Sequence, residues 1–264
     1  MGCHIEENAI NYHGLLFISY PKTMLKVHSF ETFGTQDGPG IRVVIFVQGC
    51  NFHCLYCQNP DAISCEGGTP MSVAEIIKLL EEEQPYFTNG GGLTVSGGEP
   101  GLQAKEVIKL FKAAKEKGFH TALDTNGSLR TPEYKELLKI ADLPLIDLKH
   151  FNPEIHKKLT GHENNPVLAN IADREKMKKP FWIRYVYVPG WSDQPEHIEA
   201  MAKYLSQYKY MERLEILPYH TLGVHKYETL GWKYPLKNVA PPTPAAVKKA
   251  EKIFKKYIPQ TVVH

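Results

Sequence analysis

Short apolar runs rich in β-branched residues alternate with longer amphipathic stretches along most of this 264-residue chain. A short run of that kind suits a buried strand, and apolar residues spaced three or four apart suit a helix with one buried face. Strands that alternate with helices form parallel sheets. The predicted strands are 42–47, 92–95, 119–123, 144–147, 182–188 and 213–217, and the predicted helices are 72–84, 103–117, 132–140, 195–208 and 244–257. Six strand–helix units predict a single α/β domain with an open, partial (β/α)6 barrel rather than a closed barrel of eight.

Polar or glycine-rich segments stand where the predicted strands end. In chain order they contain a run of cysteines, Gly97-Gly98-Glu99, Asp124-Thr125, Asp147-Leu148-Lys149 and His220. Parallel barrels build their active sites from the loops at the carboxyl ends of their strands. The motifs are therefore expected to meet at one end of the barrel.

The cysteine run has the spacing C-x3-C-x2-C, with Cys50, Cys54 and Cys57. Thiolates are soft ligands that suit zinc or iron–sulfur clusters. Structural zinc sites and simple electron-transfer clusters take four ligands, and no fourth cysteine is nearby. Three thiolates on a four-iron cluster would leave one iron open, as a catalyst needs. A zinc knuckle completed by His53, or thiols that bind nothing, remain alternatives on the run alone.

Each of the other motifs could also have a purely structural role. Gly97-Gly98 could be a plain turn, and Asp124 and Asp147 could each cap a helix or a turn. Arg184 lies in an apolar strand, where an arginine needs an anionic partner and a structural salt bridge would suffice. The segment 37–40, Asp-Gly-Pro-Gly, reads as a tight turn.

Composition excludes several classes of function. The net charge is +2, from 31 basic and 29 acidic residues, which is too balanced to argue for nucleic acid or an anionic membrane as partner. No run approaches ~18 apolar residues, the length of a membrane span. Five cysteines, three of them clustered and Cys3 and Cys65 left over, favour a reducing compartment. We expect a cytoplasmic protein, and a monomer is the simplest expectation.

The first 23 residues have a different character from the rest. They contain a short apolar piece but neither a basic start nor the longer apolar centre of a secretory signal. We expect residues 1–23 to be a dispensable extension and residues 24–264 to form the domain.

With an aromatic residue, Tyr56, before its last cysteine, the run resembles the signature of the radical S-adenosylmethionine (SAM) superfamily. The likeness covers nearly all of residues 24–264. Seven further segments in matching order resemble the glycyl-radical-enzyme activases, in particular the branch that activates pyruvate formate-lyase: 35–42, 96–99, 123–127, 146–149, 182–185, 188–192 and 217–220.

This resemblance implies one 4Fe-4S cluster on Cys50, Cys54 and Cys57, and SAM as a cosubstrate whose reductive cleavage yields a 5′-deoxyadenosyl radical. No protein side chain is expected to act as acid or base. The implied SAM-binding residues are Tyr56, Cys57, Gln58, Gly97, Gly98, Glu99, Asp147, Leu148, Lys149, Arg184 and His220. The implied ligands of a monovalent cation are Asp124, Thr125, Leu145 and Asp147, and the implied substrate-facing residues are Asp37, Gly38, Pro39 and Gly40.

The resemblance also implies the partners. The substrate would be pyruvate formate-lyase (formate C-acetyltransferase), left with a glycyl radical under anaerobic conditions, and the electron donor a flavodoxin or a ferredoxin. An activator of another glycyl-radical enzyme is the nearest alternative. Many of those carry a cysteine-rich insert, whereas only Cys65 lies between Cys57 and Gly97. A non-catalytic iron–sulfur or zinc protein would leave the glycine and aspartate motifs without a role.

Overall fold

The computed structural model describes residues 24–264, so the expectation for residues 1–23 lies outside the described residues. The strands are β1 (Met24–Gly34), β2 (Arg42–Val47), β3 (Thr69–Ser72), β4 (Gly92–Gly97), β5 (His120–Thr125), β6 (Leu143–Asp147), β7 (Phe181–Tyr187), β8 (Met211–Pro218) and β9 (Thr261–Val263). The helices are α1 (Val73–Glu83), α2 (Ala104–Glu116), α3 (Pro132–Ile140), α4 (Pro153–Thr160), α5 (Asn165–Lys176), α6 (Pro195–Leu205), α7 (Val224–Thr229) and α8 (Pro244–Lys255). Within the described residues, no helix is both long and apolar enough to cross a membrane.

The nine strands of residues 24–264 form one open sheet in the order β3-β1-β2-β4-β5-β6-β7-β8-β9. The six predicted strands are present as β2, β4, β5, β6, β7 and β8, and each pairs in parallel with the next. The expected open α/β barrel of six units is therefore confirmed. Its edges are extended by β9, also parallel, and by β1 and β3, which run antiparallel.

Local sequence explains why the helices start where they do. Ser72 and Glu75 form a capping box at α1, in which each side chain meets the other residue's backbone N–H. Of the other predicted helices, α3, α6 and α8 each begin at a proline, and α2 follows Gln103. The side chains of Thr131 and Thr243 cap α3 and α8. Proline suits a first helical position because its missing N–H would be unpaired there.

Two helices between β6 and β7 were not predicted, because their buried faces are partly polar. In α5, Asn170 and Arg174 are fully buried beside Val167 and Ile171, so the apolar periodicity is weak. The Asn170 amide donates to the carbonyls of Gly127 and Leu129 at 2.7 and 2.8 Å. Backbone carbonyls thus satisfy side chains that the sequence pattern would place in solvent.

The sheet divides an apolar exterior from a polar interior. Two large clusters of buried apolar side chains pack the helices onto the outer face of the sheet. The barrel interior instead holds buried polar side chains, including Arg42, Thr94, Arg184 and Glu215 from four of the strands. A small apolar cluster of Leu143, Leu145 and Trp182 is separate from the two large ones.

Two buried histidines follow β6. His150 and His156 are 1% and 0% exposed, and burial lowers the pKa of both, that of His150 to about 4. Each is therefore neutral in the folded chain at neutral pH.

We expect the free energy of unfolding to fall as the pH drops from about 6.5 towards 4. Over that range the unfolded chain, whose histidines have a pKa near ~6.5, takes up protons that the folded chain cannot bind. Each such proton contributes a slope of up to ~1.4 kcal/mol per pH unit. Urea unfolding at several pH values would measure the slope. His150→Gln should flatten it and His225→Gln, at an exposed position, should not; equal slopes in the two variants would contradict the assignment.

Candidate functional site

A cavity of about 330 Å³ opens at the carboxyl ends of the parallel strands. Of the residues predicted from the sequence, it is lined by Cys50, Cys54, Cys57, Tyr56, Gln58, Gly97, Gly98, Asp124, Thr125, Asp147, Lys149, Arg184, His220 and Asp37. The strand-end motifs do meet in one place. Glu99, Leu148, Leu145 and the turn 38–40 are not among the lining residues.

The cysteine loop is held by backbone hydrogen bonds to two other segments. Gly49 and Cys50 donate to the carbonyls of Ala62 and Ile63, and His53 donates to the carbonyl of Thr160 at the end of α4. These bonds fix a loop that has no regular structure of its own. All three thiols of this loop line the cavity.

The three thiols suit an iron–sulfur cluster better than a single ion. No three Cys, His, Asp or Glu side chains in residues 24–264 lie close enough together to hold one metal ion. All three thiols line the cavity, whereas His53, the alternative zinc ligand, is exposed and lies outside the cavity lining. Burial raises the pKa of Cys50 to about 12 and raises that of Cys57 also. The thiols must lose their protons in order to bind a cluster, because the thiolate is the ligand.

Gly98 allows the loop after β4 to touch the cysteine loop. A Cβ atom on Gly98 would lie 2.0 Å from the Gly49 carbonyl oxygen, which no side chain could tolerate. The same carbonyl accepts a hydrogen bond from the Glu99 backbone at 2.7 Å. The glycine pair thus lets two cavity loops pack backbone to backbone.

The Glu99 side chain supports the cavity from behind. It is fully buried, and its carboxylate accepts bonds of 2.8 Å from the Gly101 N–H, the Thr125 hydroxyl and the Asn126 N–H. Burial raises the pKa of Glu99 to about 7 in spite of these three donors. Glu99 therefore joins the loops after β4 and β5. The Thr125 hydroxyl also contacts the Tyr134 hydroxyl at 3.0 Å and accepts a bond from the Gly127 N–H at 3.1 Å.

Arg184 is the electrostatic centre of the interior. Its guanidinium lies 3.2 Å from Asp124, 3.2 Å from Glu215 and 3.5 Å from Asp37, and it also donates to the Gln36 carbonyl. Burial opposes its charge, but these carboxylates together raise the pKa of Arg184 above its ordinary value. The salt bridge expected for this arginine is present, and it involves three segments of the chain.

One carboxylate oxygen of Asp124 is buried without a hydrogen-bond partner. Its Oδ2 accepts a 2.6 Å bond from Ser96 and meets Arg184, whereas its buried Oδ1 has no hydrogen-bond partner. A buried carboxylate oxygen without a donor is costly, and a cation or a ligand could satisfy it.

Asp147 and Lys149 form an ion pair that lines the cavity. The Lys149 amine lies 2.7 Å from the Asp147 carboxylate and 5.8 Å from the centre of the Tyr56 ring. Burial favours the neutral amine, but Asp147 outweighs it and raises the pKa of Lys149, so the amine stays charged. Leu148 between them is fully buried in the outer core. Alternation along the strand end thus directs Asp147 and Lys149 to the cavity and Leu148 away from it.

Asp37 reaches the cavity from the loop before β2. Thr94 donates to the Asp37 carbonyl at 2.6 Å, and Arg42 in turn donates to Thr94 at 2.6 Å and to the Pro39 carbonyl at 2.9 Å. Gly40 packs so closely that a Cβ atom would lie 1.8 Å from the Thr88 carbonyl oxygen. The turn is therefore rigidly attached to the barrel, and only Asp37 lines the cavity.

Gln58 connects the cysteine loop to the segment after β8. Its amide donates to the carbonyls of Tyr56 and His220 and accepts from the Gly223 N–H, at 3.1, 3.1 and 2.7 Å. Lys226 adds a 2.8 Å bond to Asn59. The last thiol is thereby fixed relative to His220.

Several lining residues were not predicted, Asn126 being the most informative. Its amide donates to Asn51 at 2.9 Å and lies 4.0 Å from the Cys50 sulfur. The only signal available from the sequence was its position directly after Asp124-Thr125. Ser96, Asn59, Phe46 and Phe52 line the cavity as well.

We expect Glu99→Gln to lower the free energy of unfolding by about 1–3 kcal/mol, because the new amide would face a backbone N–H and leave a buried donor unpaired. Urea unfolding would measure the change, with Glu116→Gln, at an exposed position of α2, as the matched control. Equal stability of the two variants would show that the carboxylate does not hold the loops.

Solved structures resemble this chain in fold. A domain of pyruvate-formate lyase-activating enzyme from Bacteroides vulgatus matches with a TM-score of 0.56 and 24% identity, over 66% of this chain and 99% of that one. Streptococcus suis SuiB bound to precursor peptide SuiA matches with a TM-score of 0.67 and 16% identity, over 84% of this chain and 48% of that one.

Sequence comparison is more specific. Residues 44–205 match the profile of the Radical SAM superfamily. The pyruvate formate-lyase-activating enzyme of Streptococcus mutans is 43% identical over 245 residues, which cover 90% of this chain and 93% of that protein. The enzyme of the same name from Staphylococcus epidermidis is 45% identical over 237 residues, 86% of this chain and 94% of that protein. The chain therefore belongs to the radical SAM superfamily and, within it, to the family of pyruvate formate-lyase-activating enzymes.

Proposed function

We propose that this enzyme abstracts a hydrogen atom from a glycine Cα of pyruvate formate-lyase and leaves a glycyl radical there under anaerobic conditions, as a step of anaerobic glucose metabolism. Membership of the superfamily implies a 4Fe-4S cluster and SAM. When bound, that pair supplies the reductive cleavage of the sulfonium and the radical that takes the hydrogen. The observation that carries the proposal is the set of three thiols, Cys50, Cys54 and Cys57, which line one cavity together with charged side chains.

The cavity walls support a binding mode for SAM. Gly97 and Gly98 present backbone without side chains beside the cysteine loop, where an amino acid moiety could lie. Lys149 and Arg184 are charged groups suited to a carboxylate, and Tyr56, Gln58 and His220 lie where a nucleoside could be enclosed. Glu99 and Leu148 would act from behind by fixing these loops, without contacting the ligand.

A monovalent cation would fit between the carboxylates of Asp124 and Asp147. Support comes from the unpaired Oδ1 of Asp124. Leu145, paired with Asp124 in register, could add a backbone carbonyl. Thr125 could add only its carbonyl, because its hydroxyl donates to Glu99, accepts from the Gly127 N–H and contacts the Tyr134 hydroxyl. A cation there would reduce the repulsion between the aspartates and a SAM carboxylate.

Asp37 is the proposed contact with the protein substrate. It is the member of the turn 37–40 that reaches the cavity, and Arg184 connects it to Asp124. Gly38, Pro39 and Gly40 would fix its position through Arg42. A substrate loop that enters the cavity would meet this carboxylate beside the SAM-binding wall.

The wider setting follows from the chemistry. A flavodoxin or a ferredoxin would supply the electron, and the reducing cytoplasm would keep the thiols available.

The proposed site is complete within residues 24–264 of one chain, which supports action as a monomer, and residues 1–23 are proposed to be dispensable. Activation of another glycyl-radical enzyme is the second candidate, and the names of the relatives favour the first.

Anaerobic EPR of the reconstituted, reduced protein with SAM and pyruvate formate-lyase tests the function. We expect a reduced-cluster signal that SAM perturbs and a persistent glycyl doublet. Each of Cys50→Ala, Cys54→Ala and Cys57→Ala should abolish both, since two thiolates cannot hold the cluster.

His53→Ala is the matched control in the same loop. Because His53 is exposed and outside the cavity lining, iron content and both signals should persist. Loss of metal in this variant would support the zinc alternative. A cluster signal without a doublet would redirect the proposal to another glycyl-radical enzyme.

Asp37→Asn should impair activation of the partner more than uncoupled SAM cleavage. Loss of a charge-assisted contact costs about 1.5–3 kcal/mol, which is about tenfold or more in rate. Glycyl-radical yield and 5′-deoxyadenosine release would be measured on the same samples, with exposed Glu66→Gln as control. Equal losses in both assays would argue against a substrate-facing role.

A further inference from the structure

Asn126 lies beside the first thiol of the cysteine loop. Its side-chain nitrogen is 4.0 Å from the Cys50 sulfur, and the Phe52 backbone N–H donates to the same sulfur at 3.4 Å. Among the described residues, Asn126 is the side chain that donates towards one of the three thiols. It is 6% exposed and lines the cavity. A buried amide is therefore directed at a sulfur that is expected to bind iron.

Neighbouring groups determine which end of the Asn126 amide faces this sulfur. The amide oxygen accepts from the Ser128 N–H at 3.0 Å and from the Ser128 hydroxyl at 2.7 Å. The amide nitrogen donates to the Asn51 side-chain oxygen at 2.9 Å, and the Asn51 nitrogen donates to the Ser128 hydroxyl at 2.8 Å. A reversed Asn126 amide would place its oxygen against the Asn51 oxygen and its nitrogen against the Ser128 N–H. The N–H side must therefore face Cys50.

The backbone around Asn126 is held from two sides. The Asn126 N–H donates to the buried Glu99 carboxylate at 2.8 Å. On the other side, the Asn170 amide of α5 donates to the Gly127 carbonyl at 2.7 Å. The amide of Asn126 therefore keeps its position when the charge near it changes. A dipole that is already oriented stabilises a charge without the cost of reorganisation.

The direction of the effect on a bound cluster follows from charge. Reduction adds one electron, so the reduced cluster and its sulfur ligands are more negative than the oxidised ones. An N–H donor stabilises the more negative state, and hydrogen bonds to the sulfurs are among the features that set the reduction potential of iron–sulfur clusters. The amide dipole acts even at 4.0 Å, because in buried surroundings little water screens it.

We propose, on the basis of the proposed function, that Asn126 tunes the reduction potential of the cluster through Cys50 and makes the cluster easier to reduce. The electron comes from the reduced flavin or iron–sulfur group of the donor protein. That group is oxidised by one electron while the cluster is reduced by one. No covalent bond forms or breaks in this step, and no proton has to move. Asn126 would thus favour the electron uptake that must precede the cleavage of SAM.

An anaerobic redox titration of the reconstituted protein, followed by the EPR signal of the reduced cluster, tests this role. Asn126→Leu has a similar shape and removes the donor, and Asn126→Asp replaces the amide nitrogen by a second oxygen. Asn170→Leu is the matched control, because Asn170 is a buried asparagine that supports the same loop and is not among the cavity-lining residues. Iron content and urea unfolding are measured for every variant.

Asn126→Leu should lower the ratio of reduced to oxidised cluster about tenfold at a fixed potential, since a hydrogen bond to a charged group contributes about that factor. For a one-electron couple this is a shift of ~59 mV towards lower potential. Asn126→Asp should shift the potential at least as far in the same direction. Asn170→Leu should unfold at a lower urea concentration but keep the potential of the wild type.

An unchanged potential in Asn126→Leu, or an equal shift in Asn170→Leu, would overturn the proposal. If one of the two Asn126 variants loses its iron, the potential of the other decides. Loss of iron from both would also overturn the proposal, because Asn126 would then be needed to hold the cluster rather than to tune it. A wild type that forms no reducible cluster would show instead that the proposed function is wrong.

Discussion

The interior of this barrel depends on the compensation of one buried positive charge. Arg184 is 6% exposed, and its charge costs several kcal/mol to bury unless anions surround it. Asp37, Asp124 and Glu215 provide them from the loop before β2, from β5 and from β8. Because these segments are far apart in sequence, their mutual positions are fixed only when the sheet has curved around the arginine. The geometry of the cavity therefore follows from the barrel as a whole and not from any one loop.

Some of the buried polar residues line the cavity, and others hold the lining residues in position by hydrogen bonds. Glu99 stands in a motif beside the glycine pair, yet its carboxylate is used by two backbone N–H groups and one hydroxyl. Arg42 closes the turn before β2 in the same way, since it donates to Thr94 and to backbone carbonyls. A signature residue in this fold can thus be required for the shape of the site without touching what the site binds.

Much of this organisation could be predicted from the chain alone, for physical reasons that also explain the omissions. The parallel strands are short, apolar and followed by polar motifs, so both their existence and their common end were predictable. β1 was not, because irregular pairing at Val27–Ser29 and Glu31–Gly34 breaks its alternation. α5 was missed because Asn170 and Arg174 occupy its buried face. The orientation of Glu99 and the role of Asn126 depend on tertiary hydrogen bonds, which have no signature in local sequence.

The bond between Gln58 and the segment after β8 has a consequence for how the enzyme matures. The amide of Gln58 meets His220 and Gly223, which follow it by 162 and 165 positions. Contacts between such distant positions form late, because the chain must first lose the entropy of a long loop. During translation, the cysteine loop leaves the ribosome well before the segment that completes its shape. The cysteine loop therefore acquires its final shape only after the segment that follows β8 has been synthesised.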